Sequence, residues 1–431
     1  MTNQSIVFQN VALYGEDKVD LIVAKGVVAG IEPAGQGNGD EVIDCTGLIV
    51  LPGFVDLHCH VREPGREDSE TVLTASRAAA LGGYTCIFAM PNTNPVADNA
   101  GVVEQVKHLG DLVGLVDVHA IGAVTVKQEG RELAELGAMA DSAAQVRIFS
   151  DDGHCVSDAQ LMRRALEYVK AFNGIIAQHA QDPQLTKDAQ MNEGELSATL
   201  GLRGWPAVAE ESIIARDVLL AEHVDSRYHV LHLTTARGSE IVKEAKARGV
   251  KVTAEVTPHH LLLTEDLIKG YDPIYKVNPP LRTAADVIAL QDALASGVID
   301  SVGTDHAPHT EEHKDCEWDQ AAFGMLGLQT ALSVLVKTMI ETKKISWREL
   351  ADRMSVKPAH IAGLTDQGQE IAINAPANLT FIDPNSKWTV TKDLIASKSF
   401  NTPYEGMELP ATVKHTMFKG SFSVRDGKVQ K

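Results

Sequence analysis

The chain has 431 residues, of which 44% are hydrophobic and 23% charged, with a formal net charge of −19. That length exceeds one minimal domain and suits a large α/β domain with an accessory one. The acidic balance excludes non-specific nucleic-acid binding, which depends on basic patches, and any anionic substrate must be held by local positive groups against the overall field.

The opening Met-Thr-Asn-Gln-Ser-Ile is neither basic nor apolar, and no run of about 18 apolar residues follows, so neither a signal peptide nor a membrane span is expected. Cys45, Cys59, Cys86, Cys155 and Cys316 are scattered and odd in number, as in a cytoplasmic protein with reduced, mostly packed thiols.

In chain order, residues 1–52 contain short β-like stretches (Ile6–Leu13, Leu21–Glu32, Glu41–Val50) between Gly, Asp and Asn turns. From residue 53 to 365, apolar runs alternate with longer amphipathic segments. The runs are Phe54–His60, Cys86–Met90, Val116–Gly122, Gln145–Asp151, Gly174–Ala180, Tyr228–Thr234, Lys251–Thr257 and Asp300–His306. They are rich in Val, Ile and Leu without strict polar alternation, as expected of parallel strands covered by helices. Between them, residues 210–222 read as a helix with Ile214, Val218 and Leu219 on one stripe and acidic residues in its first turn. Eight strand–helix units predict an α/β fold, a (β/α)8 TIM-like barrel with its active site at the C-terminal strand ends. A doubly wound sheet is the alternative, but the chain lacks a Gly-x-Gly-x-x-Gly turn. Residues 366–431 return to short β-like stretches (Ala377–Asp383, His415–Lys419, Ser421–Arg425). Neither terminal segment could bury a core alone, and together they predict one small composite β-domain.

The strand ends carry the chemistry. The first run closes on His58-Cys-His60, and side chains two apart in a strand share a face, so both imidazoles can grip one metal ion. The fourth run ends in Asp151-Asp152-Gly153, the fifth at His179, the sixth at His232 and the eighth at Gly303-Thr-Asp305. Either aspartate of the Asp151–Asp152 pair, with four histidines and Asp305, makes a donor set that would be costly to bury without a metal and that suits hydrolysis. His259 and His260 follow the seventh run as candidates for support of that centre or for plain loop packing; His108, His223, His313 and His415 read as surface residues.

These motifs resemble the amidohydrolase superfamily, and within it the bacterial class I dihydroorotases. The match rests on Pro52-Gly-Phe-Val-Asp-Leu-His-Cys-His-Val-Arg-Glu-Pro-Gly65, Met90-Pro-Asn-Thr93, Phe149-Ser-Asp-Asp-Gly153, Ala254-Glu-Val-Thr-Pro-His-His-Leu261, Lys276-Val-Asn-Pro-Pro-Leu-Arg282, Gly303-Thr-Asp-His-Ala-Pro-His309, Phe323-Gly324 and Asn401-Thr-Pro-Tyr-Glu-Gly406. The resemblance implies reversible cyclisation of N-carbamoyl-L-aspartate to L-dihydroorotate in pyrimidine synthesis, with Asp305 moving the proton. It implies zinc, one or two ions with two favoured: His58, His60 and Asp305 on one, His179 and His232 on the other. Asp152 takes the bridging place that a carboxylated lysine fills in many relatives, which leaves Asp151 structural. It further assigns the substrate's carboxylate to Arg62, Asn92 and His309, and its amide edges to Asn278 and the backbone at Phe323 and Gly324; His60 also borders the substrate. A homodimer is the family expectation, and a complex with aspartate transcarbamoylase is compatible with it. The Ala180-Gln-Asp after His179 departs from the more usual Cys-Glu-Asp, and Ile373–Asn378 departs from an acidic Gly-x-x-Ala-Asp pattern. The rival readings are a hydantoinase or allantoinase, and an inert scaffold for the transcarbamoylase.

Overall fold

A computed structural model describes residues 4–430; Met1, Thr2, Asn3 and Lys431, which belong to the terminal β-like segments, lie outside the described residues. Eight parallel strands correspond to the eight apolar runs: β1 (Phe54–Cys59), β2 (Tyr84–Ala89), β3 (Asp117–Ala120), β4 (Ile148–Phe149), β5 (Ile175–Gln178), β6 (Tyr228–Val230), β7 (Val252–Val256) and β8 (Ser301–Val302). Strands β1 to β3 pair in sequence, as do β4 to β8. Single parallel bridges join the two sets: Gly122 to Phe149 just past β3, and Cys59 of β1 to His306 just past β8. Each strand therefore neighbours the next, and the segment after the eighth meets the first.

Most of these strands are shorter than the runs that announced them, because the apolar runs extend beyond the paired residues into the adjoining turns. β1 and β2 are buried along their whole length, consistent with coverage on both faces. The helix read at 210–222 spans Val208–Val224 and buries Ile214 and Val218. Leu219, placed on the same stripe, is instead 63% exposed, while the acidic Glu210 is 3% exposed. The Glu210 carboxylate accepts the backbone N–H groups of Thr234 and Thr235, both at 3.0 Å, and so anchors the loop after β6.

The two chain ends share one nine-stranded sheet. At the start, Ile6–Leu13, Lys18–Ala24 and Val27–Pro33 form an antiparallel meander. The single stretch read at Leu21–Glu32 is thus two strands, turned at Lys25-Gly26, where both residues have positive φ. Ile49–Pro52 then pairs antiparallel with the first residues of Leu379–Thr389, which pairs with Glu408–Phe418, each of these two strands much longer than the sequence suggested. Phe8 and Phe381, both fully buried, meet across this joint with ring centroids 4.3 Å apart. Phe381→Ala should therefore destabilise the protein by about 3–5 kcal/mol, read as an earlier urea midpoint. His415, expected on the surface, is 3% exposed, since Phe381 and Phe422 flank its ring and its Nδ1 accepts the backbone N–H of Asp426. His108, His223 and His313 are exposed, as read. All five cysteines are free, and Cys45, Cys59 and Cys86 are buried. Among the described residues, no helix is long and apolar enough to cross a membrane.

Candidate metal and substrate site

The C-terminal ends of β1, β5 and β6 and the turns after β4 and β8 converge on one buried cluster. His58, His60, Asp152, His179, His232 and Asp305 are each 5% exposed or less. Asp305 Oδ1 lies 3.1 Å from His60 Nε2 and 3.4 Å from His58 Nε2. Asp152 Oδ1 lies 3.3 Å from both His179 Nδ1 and His232 Nε2 and 3.6 Å from His58 Nε2, while its Oδ2 is 3.4 Å from His60 Nε2. Donor atoms of His58, His60 and Asp305 fall within 4.8 Å of one another, as do those of His58, Asp152 and His232. The first group matches the set expected for one ion. In the second, His58 stands with Asp152 and His232, and His179 adjoins them with its Nδ1 2.8 Å from His232 Nε2.

Several features of this cluster fit a cation. His58 Nε2 is buried with no hydrogen-bond partner. Its other nitrogen, Nδ1, donates to Glu255 Oε1 at 2.6 Å, which fixes the tautomer and leaves Nε2 free to ligate. His60 is fixed the same way, Nδ1 donating to Asn92 Oδ1 at 2.9 Å, and His179 Nε2 donates to Gln181 Oε1 at 2.6 Å. Burial pushes His58 toward its neutral form, but Asp152, Asp305 and Glu255 outweigh it and raise its pKa well above the ordinary value. Conversely, burial would raise Asp152, yet His58 and the bonds from His179 and His232 hold it far below the usual carboxylate range. Surroundings that so strongly favour positive charge on His58 equally favour a divalent ion in place of that proton.

Asp151 turns away. Its Oδ1 accepts the backbone N–H groups of Val124 (2.8 Å) and Thr125 (3.0 Å), and its Oδ2 the Thr125 hydroxyl, so it shapes the loop after β3. His260 is tied to Thr257 Oγ1 (2.7 Å) and Pro279 O (3.2 Å), and His259 Nε2 is buried without a partner.

A cavity of about 180 Å³ opens over the cluster. Of the metal- and substrate-binding residues that the resemblance implies, all but His58 and His232 reach its wall, and these two lie beneath it, 0% and 2% exposed. Arg62 is 5% exposed, with its Nε donating to Pro308 O at 3.0 Å. Burial first, then the charge of Arg66, lowers it to about 10, so it stays cationic at neutral pH. His309 Nε2 donates to Phe323 O at 2.8 Å, and Asn278 Oδ1 is buried and unpartnered. Arg62, His232 and Asp305 all have positive φ (63°, 29° and 46°), a conformation costing non-glycine residues energy and concentrated at functional sites.

Glu255 was not singled out from the sequence. It is fully buried, lies between His58 Nδ1 and His229 Nε2 (3.2 Å), and is lowered to about 2 as His58 and His229 overcome the effect of burial. Gly303 makes room for it, since a Cβ there would stand 2.5 Å from the Glu255 carboxyl. Glu255→Gln should weaken metal binding about 10–100-fold, measured by competition with a chelator.

Residues 47–238 match the family model described as Dihydro-orotase-like. The chain is 61% identical to the dihydroorotase of Streptomyces coelicolor, over 96% of this chain and 97% of that one. It is 54% identical to the dihydroorotase of Mycobacterium tuberculosis, over 99% of this chain and all of that one. Among solved structures, L-hydantoinase (dihydropyrimidinase) from Arthrobacter aurescens superposes with a TM-score of 0.89 at 25% identity, covering 99% of this chain and 97% of that one. With this identity sustained from end to end, the chain belongs to the dihydroorotase family.

Proposed function

We propose that the chain catalyses the reversible conversion of N-carbamoyl-L-aspartate to L-dihydroorotate and water, a step of pyrimidine synthesis, in the cytoplasm. The observation that carries this reading is a buried arginine, Arg62, on the wall of the same cavity as the Asp305–histidine cluster: a hydrolytic centre beside a carboxylate-binding cation. The closed succession of strand pairings supports a (β/α)8 barrel over 53–365, and the shared sheet supports a β-domain from 1–52 and 366–431.

The donor set suits zinc, with two ions favoured. His58, His60 and Asp305 would hold one, and His179 and His232 the other, with Asp152 between them. When bound, the metal supplies a Lewis acid and lowers the pKa of water to near 7. Arg62 binds the α-carboxylate of the substrate through the N–H groups that Pro308 leaves free, with Asn92 and His309 beside it. Asn278 and the Phe323–Gly324 backbone orient the ring amides. In hydrolysis Asp305 accepts the proton of the attacking water and returns it to the departing ring nitrogen; in ring closure it takes the ureido proton. A homodimer is the working assembly, and association with aspartate transcarbamoylase is compatible with it.

The test is an assay of zinc-supplied protein with L-dihydroorotate, hydantoin and allantoin in parallel. Turnover confined to dihydroorotate supports the reading. Activity on hydantoin refutes the carboxylate clamp, and a metal-loaded but inactive protein favours the scaffold.

A further inference from the structure

The segment from Thr310 to Gly324 carries Phe323 and Gly324 to the cavity, yet it has few apolar anchors of its own. Between Asp315 and Ala322 only Trp318 and Ala321 are buried, and Glu311, Glu312, Asp315, Glu317 and Asp319 present carboxylates to solvent. Its attachment to the body of the protein runs instead through two buried ammonium groups. Lys314, 7% exposed, donates through Nζ to the carbonyls of Lys276 (3.1 Å), Ala322 (2.9 Å) and Gly324 (3.1 Å), which occupies all three of its N–H groups. Lys276, 1% exposed, donates through Nζ to the carbonyls of Trp318 (2.5 Å) and Asp319 (3.2 Å) and lies 4.5 Å from the centre of the Phe323 ring.

Every hydrogen-bond acceptor of these two cations is a backbone carbonyl. Burying two neighbouring ammonium groups with no carboxylate in hydrogen-bond contact is costly: burial lowers Lys276 to about 8 against the opposing charge of Asp319, and burial with the charge of Lys276 lowers Lys314 to about 7. The carbonyls they hold are also specific. Ala322 and Gly324 bracket Phe323, whose own carbonyl accepts His309 Nε2–H, and the Gly324 N–H donates to the same Lys276 carbonyl that Lys314 grips. Space at this point is tight, because a Cβ on Gly324, whose φ is +143°, would stand 2.8 Å from His309 Nε2. The Lys314 charge reaches the cavity wall as well, since after burial and Arg62 it contributes to holding His309 neutral.

We propose that Lys314 and Lys276 are positioning residues: by gripping the carbonyls of this segment they fix the Phe323–Gly324 backbone and His309 against the bound substrate. The proposal rests on the dihydroorotase reading for the identity of that substrate. Neither lysine lines the cavity, so both act through the segment they hold.

The test uses zinc-loaded Lys314→Met, Lys276→Met and Lys314→Arg beside wild type, with KM and kcat for L-dihydroorotate and the rate of cleavage by a glutamate-specific protease at the exposed glutamates of the segment. In both methionine variants KM should rise about 10–100-fold, kcat should change by less than about threefold, and cleavage should accelerate at least about tenfold. Lys314→Arg keeps a cation and should recover much of the loss in KM. If a methionine variant does not fold, the remaining two decide the matter. KM and cleavage both at wild-type values in the folded variants would overturn the proposal, as would faster cleavage with an unchanged KM. Wild type that fails to turn over dihydroorotate refutes the functional reading instead, and the cleavage rates still decide whether the lysines hold the segment.

Discussion

Asp305→Asn is expected to reduce kcat for L-dihydroorotate about 10³-fold, the size of effect seen when a positioned general base is lost. The substitution keeps the shape of the side chain and removes its charge and its capacity to accept a proton. Asp305 is ionised and so able to accept a proton: burial, which would raise its pKa, is overcome by His58 and His60, which hold the carboxyl below its ordinary value. Its place is fixed from behind. The backbone N–H and hydroxyl of Thr304 donate to the two oxygens of Asp56 at 2.9 and 2.5 Å, and the Asp305 N–H donates to His58 O at 2.9 Å. Loss of dihydroorotate absorbance gives the rate, and metal content separates lost chemistry from lost ion. A fall of less than about tenfold with the metal retained would rule Asp305 out as the proton carrier.

The second large effect falls on binding. Arg62→Met should raise KM for dihydroorotate by about 10–100-fold, because a hydrogen bond to a charged group is worth about 1.5–3 kcal/mol and each ~1.4 kcal/mol is a factor of ten. Arg62→Lys should recover little, since the lysine ammonium cannot reproduce a fork whose Nε is already committed to Pro308 O. Kinetics over a range of substrate concentrations distinguishes this from a loss of kcat. An unchanged KM in the methionine variant would place the substrate's carboxylate elsewhere.

The site was more legible in the sequence than its supports. His58 and His60 declare themselves because a strand puts alternate residues on one face, and Asp305 because it stands in the Gly303-Thr-Asp turn that ends an apolar run. Glu255 gives no such signal. Within Val-Thr-Ala-Glu-Val it is one polar residue inside a strand, and its meaning appears only when β7 is brought near β1, 197 residues away in sequence. Gln181 departed from the pattern of relatives, yet its amide oxygen makes the contact with His179 Nε2 that orients this imidazole in the cluster. Nothing in the sequence marks Lys276 or Lys314 for burial, which follows only once backbone carbonyls have folded around them. Seven of the eight central strands were found with boundaries too generous, since apolar runs continue beyond the ladder into the adjoining turns, whereas β2 begins two residues before its run. The long strands Leu379–Thr389 and Glu408–Phe418 were shortened in the reading because bulges interrupt their pairing and so their alternation.

The sheet shared by the two chain ends sets an order of events during synthesis. Ile49–Pro52 leaves the ribosome early, but its partner Leu379–Ile382 follows only about 330 residues later, on the order of half a minute at ~5–20 residues per second. Throughout that interval the nascent chain carries a buried-type strand with one ladder unmade, an edge open to pairing with other chains. Synthesis of Leu379–Ile382, not completion of the central strands, is what closes that edge, and chains terminated before it are expected to be insoluble even when His58 through Asp305 have all been made.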